Sequence, residues 1–266
     1  MNELAYSPSG IITILTDFGL LDPYVAIMKG VIYSRFSKAT LVDITHLIAP
    51  QNIVQGAFTL GNTAPWFPSG TVHLAVVDPG VGTARRSLVA LVRDQIVVAP
   101  DNGLVWPLLE ASQDWHCYAL TRIDLFSGPV SPTFHGRDVF APVAAALASG
   151  AVQPRDCGPE IDPEQLRLPE PQVGEQLLEG EVVGFDHYGN IFTNICDTHL
   201  PVARGRLEIV VAGRRVDRYV RTYGEAKSGV VIALVNSFGT LEIACAQGNA
   251  KETLGINLGE PVHVHW

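Results

Sequence analysis

The sequence lacks the features that mark secreted, membrane and zinc-ribbon proteins. Its four cysteines lie far apart and form no CxxC pair, which argues against a disulfide framework or a structural zinc site and favours reduced thiols. The first ten residues contain an acid and no lysine or arginine, unlike a signal peptide. No apolar run approaches the roughly 18 residues needed to span a bilayer. We therefore expect a cytoplasmic protein without a membrane partner. The cysteines are Cys117, Cys157, Cys196 and Cys245.

Excess positive charge is also missing. The 266 residues carry a net charge of −9 and no basic stripe, which argues against a nucleic-acid partner. Apolar residues make up 47% of the chain and charged residues only 17%, so the chain can bury a sizeable core. This length suits one large domain or two modest ones.

The first part of the chain alternates two hydrophobic patterns. Short β-branched apolar runs predict strands, and segments with apolar residues at helical spacing predict helices. The strands are predicted at 11–16, 40–44, 71–77, 87–92 and 95–99, and the helices at 24–36, 53–63 and 139–148. Such alternation predicts an α/β domain over residues 1–152, with a mostly parallel sheet covered on both faces.

The second part of the chain changes character. Five prolines fall between residues 154 and 171 and disfavour regular structure there, so residues 153–174 are predicted to be a linker. Short apolar runs separated by glycine and asparagine then predict six strands between residues 178 and 265. Residues 175–266 are therefore expected to form a small all-β barrel or sandwich.

Polar side chains follow the predicted strands of the first domain. Asp17, His46 and Asp78 come after the first three strands, Asp101 follows the strand at 95–99, and His135 precedes the last helix. Ligands of open α/β sheets bind beyond the carboxyl ends of the strands, so this placement favours an enzyme or a small-molecule binder. Each residue taken alone has an ordinary structural explanation, such as a helix cap for Asp17.

The spacing of these residues leaves three chemistries open. A metal hydrolase is one, although no HExxH or DxD motif is present. Its candidate ligands are Asp17, Asp22, Asp78, His135 and Asp138. A nucleotide binder is the second, but the glycine pair at 80 and 82 is too short for a dinucleotide motif and no GxxxxGK[ST] occurs. The third is metal-free activation of water by Asp78, Arg85 and His135.

Six sequence blocks, taken in order, carry a resemblance to a known family. They are TDFG at 16–19, VVDPGVGT at 76–83 with Arg85, APDNGL at 99–104, TFHGRD at 133–138, FDHYGN at 185–190, and NSFG at 236–239 with Glu242. Together they resemble the adenosine-forming S-adenosyl-L-methionine hydrolases, also called SAM hydroxide adenosyltransferases, whose relatives include the fluorinase and chlorinase enzymes. The resemblance runs from about residue 11 to the C-terminus.

The resemblance implies an architecture and a reaction. It implies a Rossmann-like N-terminal domain, a C-terminal β-barrel and a homotrimer, with active sites between the N-terminal domain of one subunit and the C-terminal domain of its neighbour. It implies hydrolysis of S-adenosyl-L-methionine to adenosine and L-methionine by metal-free attack of activated water on the ribose C5′, without a cofactor. A metal-dependent hydrolase of a nucleoside derivative and a non-catalytic adenosine sensor remain as alternatives.

The resemblance also implies residue roles. The catalytic set falls on Asp78, Arg85 and His135. Asp17 matches the ribose-binding acid, Asp186 and Ser237 match positions that hold the methionine part, and Asn190 matches an adenine contact. Tyr188 provides an aromatic ring for stacking, and Phe134 belongs to the substrate-binding set.

Several positions depart from the halogenating relatives. Those enzymes carry tyrosine where this chain has Asp78, and the fluoride enzyme has serine in place of Gly136 and an insertion at the turn that contains Arg93. These differences favour hydroxide over halide as the nucleophile. The relatives also place tryptophan at Gln51, and one has arginine at Phe238, so the pocket wall and the carboxylate contact are expected to differ.

Overall fold

The computed structural model describes residues 6–112, 114–167, 169–201, 207–216 and 218–266. The chain divides into two compact units, Met1–Leu166 and Arg167–Trp266, called unit 1 and unit 2 below. Within the described ranges, no helix is long and apolar enough to cross a membrane.

Unit 1 is built on a six-stranded sheet in the order β2-β1-β3-β5-β4-β6. The strands are β1 (Ile11–Thr16), β2 (Thr40–Thr45), β3 (Val72–Val76), β4 (Ser87–Val92), β5 (Gln95–Pro100) and β6 (Trp115–Ala119). The four strands β2, β1, β3 and β5 run parallel, whereas β4 is antiparallel to both β5 and β6. The apolar side chains of the four central strands, β1, β3, β4 and β5, are buried on both faces of the sheet, as expected for strands between two layers.

Helices cover both faces of this sheet. They are α1 (Tyr24–Arg35), α2 (Ile53–Thr63), α3 (Trp106–Glu110) and α4 (Ala141–Ala148). Alternate residues of β1 point to opposite layers, so that Ile14 packs in the core with α1 and α4, and Leu15 packs in the core with α2 and α3. The predicted α/β class is therefore confirmed for this part of the chain.

The helix predicted at 139–148 has a different start. A π-helical turn, Gly136–Phe140, leads into α4. Pro142 has no backbone N–H to donate to the carbonyl of Asp138, and this carbonyl instead accepts from the Ser127 N–H at 2.9 Å. The π turn therefore sits where proline removes an ordinary helical hydrogen bond. Such turns are frequent at functional sites.

The proline-rich segment begins against unit 1. Its only regular element in the described residues before 167 is a 3₁₀ turn, Pro154–Cys157. Beyond it, the Ala119 N–H donates to the carbonyl of Pro159 at 2.8 Å, and the Ile161 N–H donates to the carbonyl of Cys117 at 2.8 Å. These bonds extend the edge of β6. The assignment of 153–174 to a linker stays a prediction.

Unit 2 is a curled β-sheet in the order β11-β10-β15-β8-β9-β14-β13-β12, with β7 paired to β8. The long strand β8 pairs with β15 along its first half and with β9 along its second half. Strands β10 and β12, near opposite ends of the sheet, also contact one another. The elements are β7 (Gln172–Val173), β8 (Leu177–Phe185), β9 (Ile191–Cys196), β10 (Glu208–Val211), β11 (Arg214–Arg215), β12 (Arg218–Tyr219), β13 (Val231–Val235), β14 (Thr240–Cys245), α5 (Ala250–Leu254) and β15 (Pro261–His265).

Candidate active site

Three acids stand at the same edge of the unit 1 sheet. Asp17 follows β1, Asp78 follows β3 and Asp101 follows β5, and these neighbouring strands are parallel. The loops after all three strands therefore emerge at one edge. Asp101 uses its carboxylate within the fold, because Oδ1 accepts from the Glu164 N–H at 2.7 Å and Oδ2 lies 2.7 Å from Nη2 of Arg86. Asp17 and Asp78 are left as the candidates for chemistry.

The structure brings Asp78, Arg85 and His135 into one hydrogen-bonded cluster. Nε of Arg85 donates to Oδ1 of Asp78 at 2.8 Å, and Nη2 donates to Oδ2 of the same carboxylate. The same Nη2 lies 2.9 Å from Nδ1 of His135. The side chains of Asp78 and Arg85 are 5% and 10% exposed, so this is a largely desolvated bidentate ion pair.

The arginine determines the tautomer of His135. A guanidinium can only donate, so Nδ1 of His135 must accept from Nη2 of Arg85. A neutral His135 then carries its proton on Nε2. Burial and the charge of Arg85 lower the pKa of His135 and outweigh the opposing effects of the carboxylates of Asp78 and Asp138. The ring is therefore a neutral Nε2–H donor near neutral pH.

Arg85 is held on its other side as well. Nη1 donates to Oγ of Ser87 at 2.7 Å, and the guanidinium carbon lies 5.3 Å from the centroid of the Phe140 ring, within cation–π range. Ser87 is the first residue of β4 and Phe140 ends the π turn. The cation is thus fixed by the loop after β3, the start of β4 and the turn before α4. Ser87 was not among the predicted site residues.

Gly82 allows the loop that carries Arg85 to meet the loop that carries His135. It has a φ of 76°, and a Cβ built there would lie 2.2 Å from the carbonyl oxygen of Pro132. Pro132 lies three residues before His135, and Gly82 lies three residues before Arg85. Only glycine fits this backbone conformation and this close approach together.

We expect Gly82→Ala to destabilise unit 1 more than Gly128→Ala does. Both glycines have positive φ, but a Cβ at Gly128 meets nothing within 4 Å. Gly128→Ala should therefore cost only the backbone strain of about 1 kcal/mol, whereas Gly82→Ala adds a backbone clash and should cost about 2–4 kcal/mol. Denaturant unfolding of the two variants measures this difference. Equal losses of stability would contradict the proposed role of the loop contact.

Asp17 does not cap a helix. The N-cap of α1 is Pro23, and Oδ2 of Asp17 instead accepts from the backbone N–H of Gln51 at 2.8 Å. Gln51 has a φ of 66°, a conformation that non-glycine residues adopt rarely. The structural explanation for Asp17 as a helix cap is thus wrong, and the backbone rather than the side chain of Gln51 reaches this acid.

Three aromatic rings pack together around Phe18, the residue after Asp17. Phe134 lies 6.0 Å from Phe18 and 5.2 Å from Tyr24, measured between centroids, in edge-to-face arrangements. A Cβ at Gly136 would lie 3.1 Å from the sulfur of Met28 and 3.2 Å from the Phe134 ring. The small residue at 136 lets these rings close over the start of the π turn.

The metal-hydrolase alternative finds no support in this geometry. A guanidinium bridges two of its proposed ligands, Asp78 and His135, and a third, Asp138, is paired with Arg137 at 2.6 Å. Among the residues that the structure describes, no group of three or more His, Cys, Asp or Glu side chains is arranged to hold a metal ion.

In unit 2, Asp186 organises the turn between β8 and β9. Its Oδ1 accepts from the backbone N–H groups of Tyr188 at 2.9 Å and Asn190 at 2.8 Å, and its Oδ2 accepts from Nδ2 of Asn190 at 2.8 Å. Three predicted substrate contacts are thereby brought together on one turn. Ser237 is exposed in a different turn, the one between β13 and β14.

This turn forms one wall of a cavity in unit 2. The cavity has a volume of about 550 Å³ and is also lined by Tyr223 and residues 245–248. The hydroxyl of Tyr223 donates to Oε1 of the buried Glu242 at 2.6 Å. Burial raises the pKa of Glu242, and the hydrogen bond from Tyr223 opposes this shift. Sequence reasoning missed Tyr223 as a wall residue, because it stands outside the six matching blocks.

The sequences of both units match the models of one protein family. The SAM hydroxide adenosyltransferase N-terminal domain matches residues 12–158, and the corresponding C-terminal domain matches residues 180–263. The chain belongs to the SAM hydroxide adenosyltransferase family. The resemblance carried by the six blocks is therefore confirmed.

Relatives of known description agree with this membership. The (R)-S-adenosyl-L-methionine hydrolase of Thermus thermophilus is 44% identical, with 94% of this chain and 97% of the relative covered. A fluorinase of an Actinoplanes species is 27% identical, with 88% and 90% covered. A crystal structure of an uncharacterized conserved protein from Thermotoga maritima has a TM-score of 0.89 and 34% identity, with 95% of this chain and 99% of that chain covered.

Proposed function

We propose that this family member hydrolyses S-adenosyl-L-methionine to adenosine and L-methionine, by metal-free attack of activated water on the ribose C5′. The observation that carries the proposal is the cluster in which Arg85 binds both Asp78 and His135. The relative from Thermus thermophilus, described as an (R)-S-adenosyl-L-methionine hydrolase, supports the choice of substrate.

The chemistry of the substrate explains why such a cluster suffices. A sulfonium leaves as a neutral thioether, so the reaction needs no general acid. The difficulty lies in the nucleophile, because bulk water has a pKa of about 15.7. A site that orients one water, accepts its proton and stabilises the developing hydroxide addresses this difficulty directly.

The hydrogen bonds suggest a division of labour. The lone pair on Nδ1 of His135 is occupied by Arg85, so the Nε2–H of His135 is free to donate to the oxygen of the water. Each oxygen of Asp78 accepts from Arg85 and keeps a second lone pair for a water proton. As the bond from oxygen to C5′ forms, the bond from C5′ to sulfur breaks and the water proton passes to Asp78 and then to solvent.

The remaining site residues are proposed to hold the substrate. Asp17 would accept hydrogen bonds from the ribose hydroxyls, and Phe134, whose ring packs against Phe18, would contact the substrate. In unit 2, Asn190 would contact adenine, on which Tyr188 would stack. Asp186 and Ser237 would hold the methionine part.

The sulfonium centre adds a stereochemical question. The relatives act, by their description, on (R)-S-adenosyl-L-methionine. Since "L" already specifies the α-carbon, the prefix describes the sulfur. We propose the same epimer as the preferred substrate of this chain.

The proposal extends to assembly and location. We propose a cytoplasmic homotrimer in which unit 1 of one subunit and unit 2 of its neighbour complete each site, with no metal or cofactor. A Rossmann-like unit 1 and a closed barrel in unit 2 belong to the same proposal. The exposed Leu20 and Leu21, next to Asp17 in sequence, and the four unpaired cysteines support it. Sedimentation equilibrium should give three times the mass of the chain.

One experiment tests the proposed reaction. The purified protein is incubated separately with each sulfonium epimer, and adenosine and methionine are followed by chromatography. Adenosine formation that is insensitive to EDTA is the expected result. A rate abolished by EDTA would support the metal-dependent hydrolase, and binding without turnover would support the adenosine sensor.

The pKa of His135 predicts the acid side of the pH profile. Because the folded pKa lies below the usual 6.5, the ring is neutral at pH 7 and gains a proton only as the pH falls below 6.5. A proton on Nδ1 would then face the donating guanidinium. We expect kcat/KM to be level from about pH 7 to 8 and to fall in acid as His135 is protonated.

The stability of the folded protein should also decrease in acid. The unfolded state binds this proton first, so the contribution of neutral His135 is complete above about pH 6.5 and is lost as the pH falls towards the folded pKa. The comparison variant is His135→Gln. It should turn over slowly, and its kcat/KM should no longer fall in acid, because glutamine does not titrate. An unchanged fall in acid would assign it to another group.

A further inference from the structure

A buried polar chain lies behind the turn that carries Asp17. Thr16 ends β1 and His46 follows β2, and both side chains are buried. Oγ1 of Thr16 and Nδ1 of His46 are 2.9 Å apart. The proposed reaction gives neither residue a task.

This buried polar chain of side chains continues outward from His46. Its Nε2 lies 3.1 Å from Oδ1 of Asp43, a close contact that is not a well-aligned hydrogen bond. Oδ2 of Asp43 accepts from Nζ of Lys29 at 2.6 Å. Thr16 belongs to β1, Asp43 to β2 and Lys29 to α1, so the chain connects three elements around one turn.

This chain holds the backbone on both sides of Asp17. The carbonyl of His46 accepts from the Gly19 N–H at 2.8 Å, and Oγ1 of Thr16 accepts from the Phe18 N–H at 3.3 Å. The position of the Asp17 carboxylate therefore depends on where His46 fixes this turn.

We propose that His46, supported by Asp43 and bonded to Thr16, is a positioning residue for the contact between Asp17 and the ribose hydroxyls of the substrate. The inference rests on the proposed function of Asp17. It predicts that a loss of His46 weakens recognition of the ribose hydroxyls while leaving the attack on C5′ nearly unchanged. Within the part of the protein that the structure describes, no hydrogen bond joins Asp78, Arg85 or His135 to this buried polar chain.

A second histidine offers a matched control. His73 and Thr13 are also buried, with Nδ1 and Oγ1 2.8 Å apart, and Thr13 stands three residues before Thr16 on the same strand. Nε2 of His73 lies 3.4 Å from Oε1 of Gln95, whereas Nε2 of His46 lies beside the acid Asp43. His73 therefore shares the burial and the threonine bond but is the second residue of β3, at the opposite end of the strand from the Asp17 turn.

The experiment compares adenosine with 2′,3′-dideoxyadenosine, which lacks both hydroxyls. Calorimetric dissociation constants are measured for the wild-type protein, Asp17→Ala, His46→Ala, His46→Asn and His73→Ala, alongside kcat and KM for S-adenosyl-L-methionine. We expect His46→Ala to reduce the preference for adenosine by about tenfold, roughly the 1.4 kcal/mol of one hydrogen bond, and to raise KM similarly. Its kcat should stay within about threefold of wild type.

The other variants sharpen the outcome. His46→Asn, whose amide can still reach Thr16 as Nδ1 does, should restore most of the preference. His73→Ala should lower thermal stability without changing the preference for adenosine. Asp43→Asn alters a half-exposed partner of His46, so it tests the same buried polar chain if His46→Ala does not fold. It should reduce the preference for adenosine by about threefold.

Two failures are distinguishable. A wild-type protein that forms no adenosine from S-adenosyl-L-methionine would overturn the proposed function. An active wild type whose preference for adenosine survives in both His46→Ala and Asp43→Asn would overturn this inference alone. The same holds if His73→Ala loses the preference equally, since the effect would then be one of general stability.

Discussion

Asp78→Asn is expected to lower kcat by about 10²–10⁴-fold, the range that a positioned general base contributes. Asparagine keeps the size of the side chain and one oxygen for Arg85, but it cannot take the water proton. The apparent dissociation constant of S-adenosyl-L-methionine should change little, because Asp78 is proposed to contact the attacking water rather than the substrate. Single-turnover rates with S-adenosyl-L-methionine, together with calorimetry, separate these two effects.

Asp101→Asn is the matched control for this prediction. Asp101 is a buried acid at the end of β5, on the same edge of the sheet, but it binds Arg86 and the Glu164 N–H. Its replacement should reduce stability and leave kcat nearly intact when both are measured well below the unfolding temperature. A kcat for Asp78→Asn close to wild type would remove Asp78 from the role of base.

Arg85→Met is expected to abolish measurable turnover and to destabilise unit 1. It leaves the carboxylate of Asp78, 5% exposed, without its cation, and breaking a buried pair in this way costs about 3–5 kcal/mol. For a unit of this size the midpoint of thermal unfolding should fall by on the order of 10 °C. Scanning calorimetry measures the shift.

A double variant separates stability from catalysis. Arg85→Met with Asp78→Leu removes both charges, so most of the lost stability should return, but turnover should not. Arg122→Met serves as the control, since its ion pair with Asp124 is exposed to solvent and should contribute little to stability. Activity in the double variant would mean that the cluster does not generate the nucleophile.

Much of unit 1 could be predicted from the sequence for one physical reason. Buried parallel strands are near-continuous apolar runs, and β1 and β3 are such runs, each followed within two residues by an acid. The common edge of the acids then follows from the parallel arrangement. The short helix α3 and the edge strand β6 were missed, because five residues of either type carry little periodicity.

Contacts between distant residues lay beyond local patterns. His135 meets Arg85 across 50 positions, and only the family resemblance placed them together before the structure did. The backbone bond from Gln51 to Asp17 depends on a positive φ that no residue type announces. Tyr223 lines the unit 2 cavity and its hydroxyl is held by the buried Glu242 on β14, a contact that sequence periodicity does not reveal.

The turn around Asp186 has a consequence for how ligands are received. Its carboxylate accepts three hydrogen bonds from within its own turn. The conformational entropy of ordering Tyr188 and Asn190 is therefore lost on folding, and the proposed binding need not order their backbone again. The proposed ligand-binding turn of unit 2 is thus preorganised, so replacing Asp186 would disturb its shape as much as any ligand contact.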